Sequence, residues 1–293
     1  MLKTIVSVFL TLAALFSGMR GLFAAPPASP EGGEVIRYGA ASNQYMDVFL
    51  PENVGDTANV VLTIHGGSWM FGDQRQFDAY GRQAAEYGYV GVSVDHRKLT
   101  NNARAAEMND DILAAVTELK SYLEEKGIAA GKMIVAGHSS GAHLALLYSY
   151  THGQDSPIPV AFVTACSSPA DLTLFAGGGT GAGNNGYTLL TALADENITA
   201  ATIGSEKARA ALARVNPIDL VTPDAPPTIL VHGDADNVVP YENSVRLYEK
   251  LRENGVDAEL ITYEGQGHFI RTAPQEMQQR RLDLMLAWAE KYL

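Results

Sequence analysis

Ser139 stands in Gly137-His138-Ser139-Ser140-Gly141, a G-x-S-x-G pentapeptide. A serine hydroxyl attacks a carbonyl only when a neighbouring base takes its proton, most often a histidine oriented by a carboxylate. The stretch MIVA before the pentapeptide reads as a buried strand and AHLALLY after it as a helix. A sharp strand-to-helix turn strains its central residue and needs small neighbours, which Gly137 and Gly141 supply. Ser139 is therefore expected above the C-terminal edge of a sheet, beside a helix N-terminus that favours developing negative charge. Seven histidines compete for the role of base: His65, His96, His138, His143, His152, His232 and His268. His268, in the loop GQGHF after the last predicted strand, is the one expected to reach the serine. His138 adjoins the serine and is expected to point away from it. His96, His143 and His152 read as packed or solvated. For the carboxylate, HGDADNVVP offers two candidates at another strand end. Asp236 is the expected orienter, and Asp234 a brace for its own loop through backbone hydrogen bonds. His65-Gly66-Gly67-Ser68-Trp69 follows a buried strand, where glycines let backbone N–H groups face a substrate. Gly66 or Gly67, together with the N–H of Ser140, are the expected donors to a tetrahedral oxyanion. Trp69 is a candidate pocket residue, with packing beneath the loop as its alternative.

These groups need a scaffold that brings strand ends together. Residues 34–38 and 45–50 alternate apolar with polar side chains, as an antiparallel edge hairpin does. Residues 59–65 (NVVLTIH), 89–94, 132–136, 160–165, 227–232 and 259–263 read as strands, several apolar enough to be buried on both faces. Residues 75–87, 103–126, 141–151, 241–254 and 274–293 read as helices. The clearest is 103–126, with Met108, Ile112, Ala115, Val116, Leu119 and Leu123 on one stripe and Gly127 as its stop. Alternation of this kind predicts an α/β fold, a mainly parallel central sheet with helices on both faces. Residues 171–214, rich in Gly, Ala, Thr and Asn, are too long for a simple crossover and are expected as an insert at the sheet's edge. Should that insert close the pocket, only short acyl groups would fit.

The 293 residues are 46% hydrophobic and 18% charged, an ordinary globular balance. A net charge of −12 repels phosphate backbones, so nucleic acid is not an expected partner. Cys166, the single cysteine, excludes an internal disulfide, a cysteine zinc cluster and a CxxC redox pair, and is expected as a small core residue. Residues 1–25 carry Lys3, an apolar run over residues 4–19 and then small residues, the pattern of a secretory signal peptide, with an uncleaved membrane anchor as its alternative. Residues 26–33 have linker composition, which leaves 34–293 as one folded domain containing the 171–214 insert. The expected setting is secreted or periplasmic. Residues 177–182 fit G-x-G-x-x-A by letter but follow no convincing strand, and they read as a loop. Asn197-Ile198-Thr199 is a glycosylation sequon if the source is eukaryotic.

Taken together, HGGSW, GHSSGAHLA, HGDADNVVP and GQGHF resemble the α/β-hydrolase esterases of the acetyl-esterase/hormone-sensitive-lipase type. Within these, the pairing of HGG-x-W with GHS-x-GAHLA is similar to the feruloyl-esterase-like and kynurenine-formamidase-like members. The order Ser139, Asp236, His268 is the order such folds use. The resemblance covers nearly all of the chain after the linker. It implies Ser139 as nucleophile, Asp236 and His268 as its partners, Gly66, Gly67 and Ser140 as oxyanion donors, and no cofactor. His96 and Lys98 depart from the D/N-Y-R-L that relatives usually carry there, and Ser68 stands where many lipases have a third Gly. The expected activity is hydrolysis of small carboxylic esters through an acyl-enzyme. An arylformamidase is the alternative within the enzymes, and a silent binding module on the same scaffold the alternative outside them.

Overall fold

The computed structural model describes residues 29–177, 186–270 and 273–293. The leader expected over 1–25 lies outside the described residues, as does all but Gly177 of the glycine-rich motif at 177–182.

Eight strands form one sheet: β1 (Glu34–Arg37), β2 (Tyr45–Phe49), β3 (Thr57–Ile64), β4 (Val90–Val94), β5 (Ala129–His138), β6 (Val160–Cys166), β7 (Thr228–Gly233) and β8 (Ala258–Tyr263). Their order is β1-β2-β4-β3-β5-β6-β7-β8. The first two pairings are antiparallel and the remaining five parallel. The hairpin at the start and the parallel run after it follow the apolar alternation and the helical crossovers of the sequence. β5 runs further than the expected 132–136, because its N-terminal end, Ala129 and Ala130, pairs with Thr57 and Ala58 of β3.

The long helices are α1 (Asp78–Glu86), α2 (Ala105–Glu125), α3 (Ser140–His152), α4 (Gly186–Ala194), α5 (Glu206–Ala213), α6 (Glu242–Glu253) and α7 (Gln275–Tyr292). The helix expected over 75–87 is split: a 3-10 turn at Gln74–Phe77, capped by the Asp73 side chain on the N–H of Arg75, leads into α1. α2 ends where expected, with Gly127 at φ +76.

The sheet separates two apolar layers. Val60, Leu62, Met133 and Val135 face one side and pack with Ile112, Leu119, Leu144 and Leu247 of α2, α3 and α6. Ile134, Phe162, Ile229 and Val231 face the other side and pack with Trp288 and Ala289 near the end of α7. α1 also lies on this second side, against β4 and β2. Its approach to β4 is so close that a Cβ at Gly91 would fall 1.9 Å from the carbonyl oxygen of Gly81.

The described residues of the 171–214 segment do not lie at the edge of the sheet. β6 and β7 are neighbours within it, and the segment is the connection between them. α4 packs on α2, and the 3-10 turn Pro217–Leu220 that follows packs on α3, so these described elements thicken the first layer. Sequence periodicity finds such helices but does not say which face receives them.

Gly91→Ala tests the closest of these contacts. Backbone cannot yield as a side-chain tip does, so the variant is expected to lose about 2–3 kcal/mol of unfolding free energy. Urea denaturation reads this directly, and an unchanged midpoint would contradict the described packing.

Candidate active site

Ser139 sits between the last residue of β5 and the first of α3, at φ 57 and ψ −127. This left-handed conformation costs a β-carbon-bearing residue free energy and persists only where the surroundings fix it. Here they do. A Cβ at Gly137 would lie 2.3 Å from the carbonyl oxygen of Gly141, and one at Gly141 2.2 Å from that of Ile64. The N–H of Ser139 donates to Cys166 O at 2.9 Å, which ties the turn to β6. The two glycines thus let strand, turn and helix meet at distances that no larger residue permits.

His268 and Asp236 converge on this serine. His268 Nε2 is 2.9 Å from Ser139 Oγ, and His268 Nδ1 is 2.7 Å from Asp236 Oδ2. Nδ1 faces a carboxylate and so carries the proton, which leaves Nε2 free to accept the serine hydroxyl's. Asp236 is itself over-determined. Its Oδ1 accepts the N–H groups of Val238 (2.8 Å) and Val239 (2.9 Å), and His232 Nε2 lies 3.2 Å from Oδ2. Burial raises the pKa of this carboxyl, but the hydrogen bonds from His232 and His268 and the Val239 N–H outweigh it and hold the group well below the ordinary carboxylate range. Asp234 takes no part in the relay; its Oδ1 accepts the N–H of Gly265 at 2.6 Å and joins its loop to that of His268.

Two groups hold the carbonyl oxygen of His268: His138 Nε2 donates at 2.9 Å and Ser167 Oγ at 3.0 Å. His138 therefore does not point away from the site. Its ring lies 4.9 Å from that of His268, and burial lowers its pKa to about 4, so the neutral ring serves as a brace. Its place next to the nucleophile was the available signal. Ser167, just after β6, carried none.

The glycine loop flanks the serine. Gly66 is so close that an added Cβ would lie 2.8 Å from His138 O and 3.3 Å from Ser139 Cβ, and Gly67, at φ +129, would collide with Phe71 O. Ser140 opens α3, so its N–H has no acceptor within the helix. A buried polar cluster supports the loop from behind. The ring nitrogens of His65 face Gly66 O (2.7 Å) and Asp95 Oδ1 (2.9 Å), Lys98 Nζ reaches the same carboxylate oxygen at 2.5 Å, and His96 stacks on His65 at 4.7 Å. His96 and Lys98, the two departures from the usual pattern, thus lie in this support.

Trp69 does not line the pocket. It is buried, and its Nε1 donates to His143 Nδ1 at 3.1 Å, while His143 Nε2 donates to Val215 O at 2.8 Å. An indole in a loop either covers a ligand or pins the loop to the core, and here a neutral histidine on α3 supplies the acceptor that pins it. Cys166 departs from its expected place as well. It ends β6 on the wall of the cavity, where burial pushes its thiol up to about 11, so it is no nucleophile near neutrality.

Gly66, Gly67, Ser139 and His268 share one cavity of about 700 Å³, a size suited to a small organic ligand. No described residue of the 171–214 segment lines it. Among the described residues, no group of three or more His, Cys, Asp or Glu is placed to hold a metal ion. Likewise, no described helix is long and apolar enough to cross a membrane.

Burial lowers the pKa of His143 to about 4, against about 6.5 in an unfolded chain. Between these values the unfolded state binds the extra proton, so this group's contribution to stability falls as pH falls, by up to about 1.4 kcal/mol per pH unit. His143→Leu is expected to lose less stability than the parent protein between pH 6.5 and 4, whatever its stability at pH 7. Parallel urea titrations compare the two, and equal pH slopes would contradict a buried neutral imidazole.

Known proteins share this arrangement of strands and loops. Esterase B from Lactobacillus rhamnosis superposes with a TM-score of 0.77 at 19% identity, covering 99% of this chain and 94% of its own. Thermogutta terrifontis esterase 2 superposes at 0.69 with 22% identity, covering 90% and 93%. At such identities the likeness establishes the α/β-hydrolase fold. In sequence, the chain is 25% identical over 252 residues to a probable isoprenylcysteine alpha-carbonyl methylesterase of Arabidopsis thaliana, which spans 82% of this chain and 51% of that protein. It is 24% identical over 223 residues to the esterase LipC of Mycobacterium tuberculosis, covering 74% of this chain and 54% of that protein. The chain thus spans about half the length of these curated relatives. The BD-FAE family model matches residues 46–251, well over half of the sequence and inclusive of the glycine loop, the serine turn and Asp236, and the chain belongs to the BD-FAE family.

Proposed function

We propose that the protein is a serine carboxylesterase that hydrolyses carboxylic esters through an acyl-enzyme. One observation carries this reading: an unbroken hydrogen-bonded line runs from buried Asp236 through His268 to Ser139 Oγ, and its last two members lie in the wall of a cavity that the glycine loop also borders. The esterase names of the relatives and structural neighbours agree with it.

In this mechanism His268 Nε2 removes the hydroxyl proton as Ser139 Oγ attacks the ester carbonyl. Negative charge moves to the carbonyl oxygen, which the N–H of Ser140 and those of Gly66 or Gly67 stabilise. Collapse of the tetrahedral intermediate expels the alcohol, which takes the proton from His268. Water then enters, His268 accepts its proton, and a second tetrahedral intermediate releases the carboxylate and restores Ser139. Asp236 remains ionised throughout and stabilises the imidazolium that forms twice in the cycle. We propose in addition that residues 1–25, with Lys3 and an apolar run, direct export, so that the active enzyme acts outside the cytoplasm.

Ser139→Ala is expected to lower kcat for p-nitrophenyl acetate by about 10⁴-fold or more and to abolish labelling by a fluorophosphonate. A folded parent protein that neither labels nor turns over would overturn the reading. Asp236→Asn is expected to lower kcat by about 10⁴-fold, because the amide disturbs the tautomer of His268; a loss below tenfold would contradict the orienting role. For export, a mature N-terminus after residue 25 is expected by mass spectrometry, and an intact Met1 in a cytosolic fraction would contradict it.

A further inference from the structure

The cavity at Ser139 does not end at the serine. It continues down the second face of the sheet, away from the strand ends, between α1 and α7. Its floor is made by the side chains of β3 and β5 that point to this face, Val61, Thr63, Ile134 and Ala136. From Ser139 to Ile134 is five residues of extended chain, roughly 16 Å at ~3.3 Å per residue. Ala84 of α1 and Tyr87 just beyond its end form one wall, and Leu282 and Met285 of α7 the other. α7 rests on the sheet near its C-terminal end, where Trp288 meets Phe162, and of its residues only Trp288 and Ala289 are fully buried. Met277, Leu284 and Met285 touch the same core but are only partly buried, and the groove runs along this less covered part of the helix.

The rim is unusual for a surface that faces only water. Tyr80, Tyr87 and Leu286 are 50%, 49% and 38% exposed, the large hydrophobic side chains that stand out as exposed among the described residues, and all three border this groove. Single exposed apolar residues need no explanation, but three gathered along one mainly apolar channel that opens at a reactive hydroxyl mark a binding surface.

We propose that the groove between α1 and α7 binds a long apolar chain of the ester substrate, with the ester group held at Ser139. The inference rests on the esterase reading for the identity of that head group; the groove itself can be probed without turnover. A linear chain fits the larger part of what is present: a channel floored by small and β-branched side chains, walled by Met, Leu and Tyr, and continuous with the serine, with Gln76, Gln83, Gln278 and Arg281 as its polar lining. The chain belongs to either the acyl or the alcohol part, and two substrate series separate these. Substrate choice accordingly rests on α1 and α7 rather than on the described residues of the 171–214 segment.

The test uses the full chain. p-Nitrophenyl esters from acetate to decanoate lengthen the acyl part, and acetates of linear alcohols from ethyl to decyl lengthen the other. In one of these series kcat/KM is expected to rise by about two- to fourfold for each methylene until the groove is filled. A dansyl-labelled long-chain fatty acid reads binding to Ser139→Ala by fluorescence. Leu286→Glu, at an exposed position that leaves folding intact, and Ala84→Trp, which fills the channel, are each expected to weaken that binding at least tenfold when combined with Ser139→Ala. Each is also expected to flatten the chain-length dependence. Rates that fall beyond butyrate in both series, or probe binding that is absent or equal in the Leu286→Glu variant, would overturn the proposal. Probe binding that Leu286→Glu weakens in a chain that hydrolyses no ester would support the groove and overturn the catalytic reading instead.

Discussion

The site depends on how closely three stretches of backbone approach one another at Ser139. β5 arrives, turns through a left-handed residue and leaves as α3, while the loop after β3 crosses alongside. Gly66, Gly137 and Gly141 stand where these segments touch, and a side chain at any of them would strike backbone within 3 Å. The strained serine is stable because its neighbours leave it no alternative. The same closeness puts the glycine loop and the first N–H of α3 beside the hydroxyl. Two further loops, after β7 and β8, then need only deliver a carboxylate and an imidazole to a fixed point.

Around this point the protein invests in rigidity. Asp236 has four donors directed at its two oxygens, and the His268 carbonyl has two. His65, Asp95 and Lys98 stiffen the glycine loop from the buried side. Each of these groups is sheltered from water, so each hydrogen bond that were lost would leave a polar atom without a partner. This arrangement favours a site formed before any ligand arrives. In contrast, the space between α1 and α7 is mainly apolar and only partly covered, the character of a surface that receives something rather than of one that supports.

Much of this was legible from residue order. The β-branched runs at β3 and β7, the stripe along α2 and the serine pentapeptide between a strand and a helix predicted the elements and their alternation. Asp236 and His268 were legible because both follow strands and the topology gathers strand ends on one edge. The rest needed three dimensions. Trp69 could have faced a ligand or the core, and the acceptor that decides it, His143, is 74 residues away. His138 and Ser167 act on a carbonyl oxygen, a group every residue has, so no side-chain pattern announces them. Similarly, amphipathic helices predict that α1 and α7 pack on the sheet but not how far apart they lie. The cavity arises from that separation.

The proton on Nδ1 of His268, held between imidazole and carboxylate, reports the whole arrangement at once. Proton NMR of the folded protein in water is expected to show one far-downfield imidazole resonance that disappears in His268→Gln and shifts upfield in Asp236→Asn. A folded protein without such a resonance across the pH range of activity, or one in which it survives the loss of His268, would contradict the convergence of Ser139, His268 and Asp236.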